Sequence, residues 1–245
     1  MKRYQEQLTI KSYQTNQYGK ASIFSLFHIM LEAAWAHAQI MDWGYDDLKN
    51  NNLFWVLSRF YLQVEKYPAW QDQIILNTWS AGTDGVYAYR EFILENEKGE
   101  VLLKASSAWL ILDMENHKIF RLSDYKATFP KLTDENACRN PRRIKPDKHS
   151  GELRFDPVLF SDLDVNQHFN SVKYVARVLD DYGIDFLNEH EPAEIEVNYL
   201  KEGMAGDSIA VTRTRLSDNE YLNCLVRESD GADLCAMQII WRERK

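Results

Sequence analysis

The chain has 245 residues, which is enough for one large domain or for two small ones. Its formal net charge of -8 argues against general nucleic-acid binding, which depends on basic surfaces. Three cysteines without a CxxC pair argue against a disulfide framework and a zinc site, and they suit a reducing compartment. There is no apolar signal-peptide region and no run of about 18 uncharged apolar residues, so we expect a cytoplasmic protein without membrane insertion.

The first half reads as one strand, one long helix and four further strands. In ASIFSLFHIMLEAAWAHAQIM, residues 21–41, apolar side chains recur at helical spacing, and Ser22 can cap the start. The predicted buried stripe of this helix is Phe24, Phe27, Leu31, Ala34, Ala38 and Met41. Strand patterns rich in aromatic and branched residues lie at 4–13, 54–64, 73–79, 86–94 and 101–112, with a turn at 95–100.

The second half repeats this order after a polar stretch, about residues 124–151, which has no clear period and predicts a linker. A short strand at 152–155 leads to a helix at about 167–182, which Gly183 can end. The predicted apolar stripe of this helix is Phe169, Val172, Ala176 and Leu179. Further strands are predicted at 195–200, 208–216, 220–228 and 232–241.

The two halves also align in detail. Asp72 matches Asp207 and Gly99 matches Gly231 with nearly the same offset, which indicates duplication of one helix-plus-sheet unit. A long helix packed on an antiparallel sheet is an α+β arrangement. We therefore predict two tandem hotdog units, each a long helix wrapped by an antiparallel β-sheet. The predicted boundaries are an N-terminal unit at 1–130, a linker at 131–150 and a C-terminal unit at 151–245.

The densest polar cluster is DLDVNQHFN, where a loop meets the second helix: Asp162, Asp164, Asn166, His168 and Asn170. The free N–H groups and positive dipole end of a helix start suit an oxyanion or a thioester carbonyl. Asn166 offers an amide donor and acceptor, and His168 can transfer a proton near neutral pH. Asp164 can orient either one. The cluster therefore has the residue types of an acyl-transfer site.

Glu202, in VNYLKEGMAGDS, is the second candidate, because a carboxylate there can activate water or attack a thioester carbonyl. Spacing alone leaves a simpler explanation open. Asp and Asn at a helix start commonly cap it, and a glutamate between Lys201 and Gly203 is by default a charged loop residue. On this basis the pattern predicts hotdog-like units and leaves catalysis undecided.

A resemblance favours catalysis. The segments DLDVNQHFNSVKYVARVLDD and NYLKEGMAGDS resemble the signature segments of plant-type acyl-acyl carrier protein (acyl-ACP) thioesterases and their bacterial relatives. In the first half the resemblance rests on ASIFSLFHIMLEAAWAHA, FWVLSRFYLQVEKYPAWQDQIILNTW and KASSAWLILD, so that it extends over most of the chain. It implies a double hotdog fold and hydrolysis of fatty acyl-ACP thioesters, the step that terminates fatty acid synthesis.

The resemblance also assigns roles. Asp164, Asn166 and His168 match the family's Asp-x-Asn-x-His motif, and Glu202 matches its catalytic glutamate. Gly203 departs from the family pattern, because plant members carry a cysteine there that was once regarded as the nucleophile. We therefore expect a mechanism centred on the Glu202 carboxylate and not on a thiol.

Substrate and partner contacts are expected outside this motif. The resemblance places an acyl pocket beneath the first helix, with the candidate lining residues Phe27, Met30, Leu31, Trp35 and Met41; plain core packing is the alternative for each. An acidic carrier protein bearing a fatty acyl chain needs a local basic face. Candidates for that face are Lys173, Arg177 and the linker run Arg139, Arg142, Arg143, Lys145 and Lys148.

Other readings remain. Hotdog proteins also hydrolyse acyl-CoA or dehydrate 3-hydroxyacyl thioesters, and a non-catalytic acyl-binding protein or a purely structural protein is a further alternative. His28 and His37 lie on the first helix without a second ligand at metal spacing, and the chain has no phosphate loop and no GxSxG motif. No cofactor and no metal are therefore implied, and the protein is expected to be a monomer or a homodimer.

Overall fold

The computed structural model describes residues 3–125, 129–131, 133, 135–147 and 153–244. It divides the chain into two compact units, Met1–Pro141 and Arg142–Lys245. The division falls within the predicted linker at 131–150. Each unit contains one longer helix and its own run of antiparallel strands.

The first unit is a five-stranded antiparallel sheet with one long helix. Its strands, in the order β1-β3-β4-β5-β2, are hydrogen-bonded neighbours, and a short sixth strand pairs with β5. The helices are α1 (Ile23–Ile40) and α2 (Tyr45–Lys49). The strands are β1 (Tyr4–Thr9), β2 (Leu53–Val64), β3 (Gln73–Thr83), β4 (Ala88–Asn96), β5 (Val101–Asp113) and β6 (Ile119–Phe120).

Helix α1 begins where the sequence predicts, since the Ser22 side chain accepts a hydrogen bond from the Ser25 N–H. Its buried face differs from the predicted stripe, because Phe24, Leu31 and Ala38 are only partly buried. The buried residues are Ile23, Leu26, Phe27, Met30, Ala33, Ala34 and His37. The helix is apolar on several sides, so periodicity alone does not choose the face that meets the sheet.

Aromatic rings join the helix to the sheet. The Phe27 and Phe60 ring centroids are 4.7 Å apart, and those of Phe60 and Phe92 are 5.8 Å apart. All three side chains are fully buried. Contacts of this kind between α1, β2 and β4 give the unit its apolar core.

Several boundaries in this unit differ from the prediction. β1 ends at Thr9, and Ser12–Gln14 forms a 3-10 turn where a strand to residue 13 was predicted. β3 extends to Thr83, beyond the predicted end at 79, because cross-strand pairing with β4 continues through a bulge. The short α2 and β6 were not predicted, since neither is long enough to establish a period.

The second unit has a similar plan. Its strands lie in the order β8-β11-β10-β9-β7 and pair antiparallel. The helices are α3 (Ser171–Asp180) and α4 (Ile184–Glu189). The strands are β7 (Asp156–Pro157), β8 (His190–Tyr199), β9 (Ser208–Arg215), β10 (Glu220–Arg227) and β11 (Asp233–Glu243).

Helix α3 is shorter than predicted at both ends. Its N-cap is Asn170, whose side chain accepts from the Val172 N–H, so the predicted start at residue 167 is wrong. Gln167 lies in a turn with φ 65° and cannot be helical. Ala176 of the predicted stripe is partly exposed, while Val175 and Val178 are buried.

The flanks of this helix also need correction. The strand predicted at 152–155 is wrong, because the paired residues are Asp156–Pro157; residue 152 lies outside the described residues. Gly183 has φ 78° and follows the end of α3, as predicted, but it also starts the unpredicted helix α4.

The duplication is visible in the backbone hydrogen bonds. In the first unit the Ala21 N–H donates to the Pro68 carbonyl at 2.7 Å, and in the second the Phe169 N–H donates to the Gly203 carbonyl at 2.8 Å. The two donor residues, Ala21 and Phe169, directly precede the N-caps of α1 and α3. The same bond therefore ties the helix start to the loop after the following strand in both units.

The ring stack gives a stability prediction. Phe60→Ala removes the ring between Phe27 and Phe92 and should lower the free energy of unfolding by about 3–5 kcal/mol. The matched control is Phe160→Ala, since Phe160 is 94% exposed, with an expected change within about 0.5 kcal/mol. Urea unfolding followed by tryptophan fluorescence measures both, and equal effects would contradict the described packing.

Candidate active site

The turn before helix α3 is closed by hydrogen bonds to the side chain of Asp164. Oδ1 of Asp164 accepts hydrogen bonds from the Asn166 N–H at 2.8 Å and from the His168 N–H at 3.1 Å. The Asp164 N–H in turn donates to the His168 carbonyl at 2.8 Å. Asp164 therefore positions Asn166 and His168 through their backbone, as an Asx turn does, and not by a bond to either side chain.

Two N–H groups at the start of α3 already have hydrogen-bond partners. Asn170 accepts from the Val172 N–H with its side chain and from the Lys173 N–H with its carbonyl, at 2.9 and 2.8 Å. These two N–H groups of α3 are thus already bonded within the helix start. Asn166 and His168 lie in the turn before the helix, where the Asn166 side chain is exposed and the His168 side chain is partly buried.

The structure brings His168 and Glu202 together. Nδ1 of His168 and Oε1 of Glu202 are 3.7 Å apart, and their side chains are 22% and 34% exposed. The bond from Phe169 to Gly203 and a bridge between His168 and Met204 hold the two loops side by side. An imidazole and a carboxylate at this distance, both open to solvent, can act on one substrate or water molecule.

Asp162 has a structural role. Its carboxylate is buried and lies 2.8 Å from Arg177 Nη2 and 3.5 Å from Lys173 Nζ. Burial alone would raise its pKa, but hydrogen bonds from the Leu159 N–H and from Arg177 outweigh burial and hold the pKa below the ordinary value. The ion pairs fix the start of the turn and engage both basic residues of α3.

The first unit carries the same turn with different side chains. Oδ1 of Asn16 accepts from the Tyr18 N–H at 3.0 Å and the Lys20 N–H at 3.2 Å, and Gly19 has φ 67° where Gln167 has 65°. Lys20 therefore occupies the position of His168. By the same correspondence Tyr67, the residue before Pro68, occupies the position of Glu202. Of these two turns, that of the second unit has the imidazole–carboxylate pair, and that of the first unit does not.

Two side chains that the sequence did not single out hold the loop around Glu202. The Tyr174 hydroxyl accepts from the Gly203 N–H at 2.9 Å and donates to the Lys201 carbonyl at 3.3 Å. Arg227 Nη1 donates to the Glu202 carbonyl at 3.3 Å. A tyrosine at helical spacing and an arginine in a strand carry no local signal, so only the contacts reveal them.

Two of the three cysteines, Cys224 and Cys235, are buried in the second unit. Burial raises the pKa of the Cys224 thiol to about 11 and that of Cys235 well above its ordinary value, so both remain thiols at neutral pH. Cys138, in the first unit, is partly buried. Within the described ranges, no group of three or more His, Cys, Asp or Glu side chains could hold a metal ion. Among the residues that the structure describes, no helix has the length and apolar character of a membrane span.

The predicted lining residues of α1 separate into two groups. Phe27, Met30 and Met41 are buried, and Leu31 is partly buried. Trp35 is 50% exposed and stacks on Tyr45 with ring centroids 5.7 Å apart. Its inclusion in a buried pocket is therefore corrected, because its side chain lies off the face of α1 that meets the sheet.

Solved structures define the class of fold. An acyl-ACP thioesterase from Bacteroides thetaiotaomicron superposes with a TM-score of 0.84 at 22% identity, covering 97% of each chain. The 12:0-ACP thioesterase from Umbellularia californica also gives 0.84, at 20% identity over 99% of this chain and 98% of that one. The α+β prediction of two tandem hotdog units is thereby confirmed.

Family models identify the protein group. The Acyl-ACP thioesterase N-terminal domain matches residues 1–127, and the Acyl-ACP thioesterase C-terminal domain matches residues 144–243. The chain belongs to the acyl-ACP thioesterase family, as the resemblance predicted.

Curated relatives agree at low identity. Oleoyl-acyl carrier protein thioesterase 1 of Arabidopsis thaliana is 24% identical over 98% of this chain and 76% of its own length. Palmitoyl-acyl carrier protein thioesterase of Gossypium hirsutum is 26% identical over 98% of this chain. The chain spans 64% of the length of this second relative, and both relatives are described as chloroplastic.

The turn gives a prediction about charge. Asp164→Asn should keep hydrolysis of an acyl-ACP substrate within about threefold, because Asn16 closes the same turn with an amide oxygen. Asp164→Ala should lose roughly 10- to 100-fold in kcat, since displacing a catalytic group by about 1 Å can cost on the order of 100-fold. Asn16→Ala is the matched control and should leave kcat unchanged. An inactive but folded Asp164→Asn protein would show that the charge itself is needed.

Proposed function

We propose that this protein hydrolyses fatty acyl-ACP thioesters to free fatty acid and carrier protein, with Glu202 and His168 as its central catalytic pair. The observation that supports this proposal is their 3.7 Å separation in a member of the acyl-ACP thioesterase family. The pair lies at the turn that the Asp164 carboxylate closes. These groups can activate a water molecule for attack on the thioester carbonyl and can protonate the leaving thiolate.

The reaction begins with a water molecule that loses a proton to the Glu202 carboxylate while its oxygen bonds to the thioester carbonyl carbon. The Asn166 amide donates to the carbonyl oxygen as negative charge develops there. The carbon–sulfur bond then breaks, and a proton delivered through His168 converts the leaving thiolate to the thiol. In the alternative route a Glu202 oxygen bonds to the carbonyl carbon, and the carbon–sulfur bond breaks while a proton delivered through His168 gives the thiol. Water then hydrolyses the mixed anhydride, which releases the fatty acid and frees the Glu202 carboxylate.

The acyl chain is assigned to the first unit, beneath α1. Phe27 and Met30 supply buried apolar surface on this helix, Met41 is buried at its C-cap, and Leu31 is partly buried. An apolar pocket suits a fatty acyl chain because burying each methylene from water contributes about 0.8 kcal/mol.

An acidic carrier protein needs basic side chains on this acidic enzyme. Arg143 and Lys145 of the predicted basic run are exposed, and we propose them as docking residues. Arg142 is also exposed and its guanidinium lies 3.7 Å from Glu196, whereas Arg139 lies over the Tyr61 ring at 3.6 Å. Lys148 lies outside the described residues. The cytoplasmic location and the monomeric or homodimeric state stay predictions.

The proposed chemistry is tested with purified acyl-ACP and acyl-CoA thioesters of several chain lengths. Glu202→Gln and His168→Ala should each lose roughly 100- to 10,000-fold in kcat, the typical contribution of a positioned acid or base. Glu228→Gln, an exposed carboxylate, and Lys20→Ala, in the turn of the first unit, are matched controls and should keep full activity.

Three outcomes would change this assignment. Near-full activity of either catalytic variant would remove that residue from the mechanism. Faster hydrolysis of acyl-CoA than of acyl-ACP thioesters would indicate that CoA, and not the carrier protein, carries the substrate. No hydrolysis of either panel by folded wild type would exclude a thioesterase.

The pocket proposal makes a separate prediction. Met30→Ala enlarges the space beneath α1 and should shift the preferred substrate toward longer acyl chains, at a cost of about 2–5 kcal/mol in stability. Ile40→Ala, at an exposed position of the same helix, is the control and should leave the profile unchanged. Relative kcat/KM values across the chain-length panel measure the shift, and an unchanged profile for Met30→Ala would place the acyl chain elsewhere.

A further inference from the structure

We propose that Tyr174 and Arg227 are positioning residues that hold the Glu202 carboxylate in register with His168. They act on the backbone on both sides of Glu202 and do not touch the reacting atoms. This inference rests on the proposed catalytic role of Glu202. It adds two residues from α3 and β10 to a site otherwise made of the two loops.

Tyr174 bridges both neighbours of Glu202 with one oxygen. Its hydroxyl accepts from the Gly203 N–H and donates to the Lys201 carbonyl, at 2.9 and 3.3 Å. The ring is buried and has edge contacts with Phe169 and Tyr199, with centroids 4.6 and 5.4 Å away. Burial raises the pKa of the Tyr174 phenol, so that it remains a donor through the neutral range. The peptide groups before and after Glu202 are thus bound to one fixed point.

Arg227 holds the carbonyl of Glu202 itself. Its Nη1 lies 3.3 Å from that oxygen and 3.3 Å from Asp207 Oδ2. Nε and Nη2 donate to the two oxygens of Asp230, at 3.0 and 2.9 Å. Asp207 Oδ2 also accepts from the Met204 N–H at 2.9 Å, so the loop is bonded to the group that orients Arg227. Hydrogen bonds to Asp230 and Asp207 raise the pKa of Arg227, which keeps it charged.

The first unit shows that this loop folds without either side chain. There the Ala69 N–H donates to Asp72 Oδ2 at 2.8 Å, as Met204 does to Asp207. The bond from Ala21 to Pro68 is also present. The loop backbone therefore has the same closing bonds in the copy where tyrosine replaces the carboxylate.

The counterparts of the two positioning residues lack their functions. Leu26 follows the Ser22 cap by four positions, as Tyr174 follows Asn170, and has no hydroxyl. Asn96 pairs with Ile74 in the register in which Arg227 pairs with Ile209. The Asn96 side chain bonds within its own turn, to Glu100. The extra contacts thus occur in the unit that carries Glu202, which indicates a role in catalysis and not in loop folding.

Accuracy of placement is the physical reason for such contacts. Glu202 is partly exposed and lies in the loop between β8 and β9. Rotation of the peptide groups beside it would move the carboxylate relative to His168. A displacement of about 1 Å can cost on the order of 100-fold in rate. Gly203 adds to the constraint, since a Cβ there would lie 3.0 Å from Phe169 Cβ and 3.3 Å from the Tyr174 hydroxyl.

The deciding variant is Tyr174→Phe, which removes one oxygen and keeps the ring. We expect kcat for acyl-ACP hydrolysis to fall roughly 10- to 100-fold while KM stays within about twofold. Tyr182→Phe is the matched control, because the Tyr182 hydroxyl is also buried in this unit but bonds to Asn223 at 3.0 Å. It should lower the melting temperature to a similar extent and leave kcat unchanged. Arg227→Met should resemble Tyr174→Phe, and Arg227→Lys should recover part of the activity.

Two results would overturn the inference. One is a Tyr174→Phe enzyme with kcat within about twofold of wild type. The other is a loss of kcat in Tyr182→Phe as large as that in Tyr174→Phe, which would indicate a general effect of stability.

The double variant Tyr174→Phe/Glu202→Gln separates this inference from the proposed function. If positioning acts through Glu202, the double variant is no slower than Glu202→Gln alone. An active Glu202→Gln enzyme would remove the catalytic role of Glu202 and the positioning role with it. An inactive Glu202→Gln enzyme beside a fully active Tyr174→Phe enzyme would remove the positioning role alone.

Discussion

The candidate site depends on one backbone hydrogen bond, from the Phe169 N–H to the Gly203 carbonyl. Phe169 directly precedes the cap of α3, and Gly203 lies in the loop after β8. Because this bond joins the two loops, the residue before each partner is also brought close, and those residues are His168 and Glu202. The first unit has the equivalent bond, from the Ala21 N–H to the Pro68 carbonyl. The fold therefore supplies the proximity, and the side chains supply the chemistry.

Duplication separated scaffold from chemistry. Both units keep the acceptor that closes the turn, Asn16 in one and Asp164 in the other, with the same two N–H donors. They also keep the left-handed position at Gly19 and Gln167, because the turn cannot close without it. What differs is the group displayed by each turn. Both copies keep a helix with a buried apolar face, and the turn of the second unit displays an imidazole close to a carboxylate.

The sequence predicted existence and order of the main elements better than their ends. The helix at 21–41 was within two residues of α1 at each end, since Ser22 is a recognisable cap. The helix at 167–182 began too early, because the polar run before Asn170 has no breaker except the turn that Asp164 closes. The buried face of α1 was misjudged by about one position. An almost uniformly apolar helix has no preferred face until the sheet selects one.

The residue types at the site and the family could both be predicted from the sequence. A local motif and a family resemblance pointed to Asp164, Asn166, His168 and Glu202. Such motifs can be recognised from the sequence alone. The 3.7 Å contact of His168 with Glu202, the backbone role of Asp164, and the bonds of Tyr174 and Arg227 to the Glu202 loop were decided by tertiary structure alone. These are contacts between residues distant in sequence or bonds to backbone atoms. Neither leaves a periodic or compositional pattern, so only the folded chain determines them.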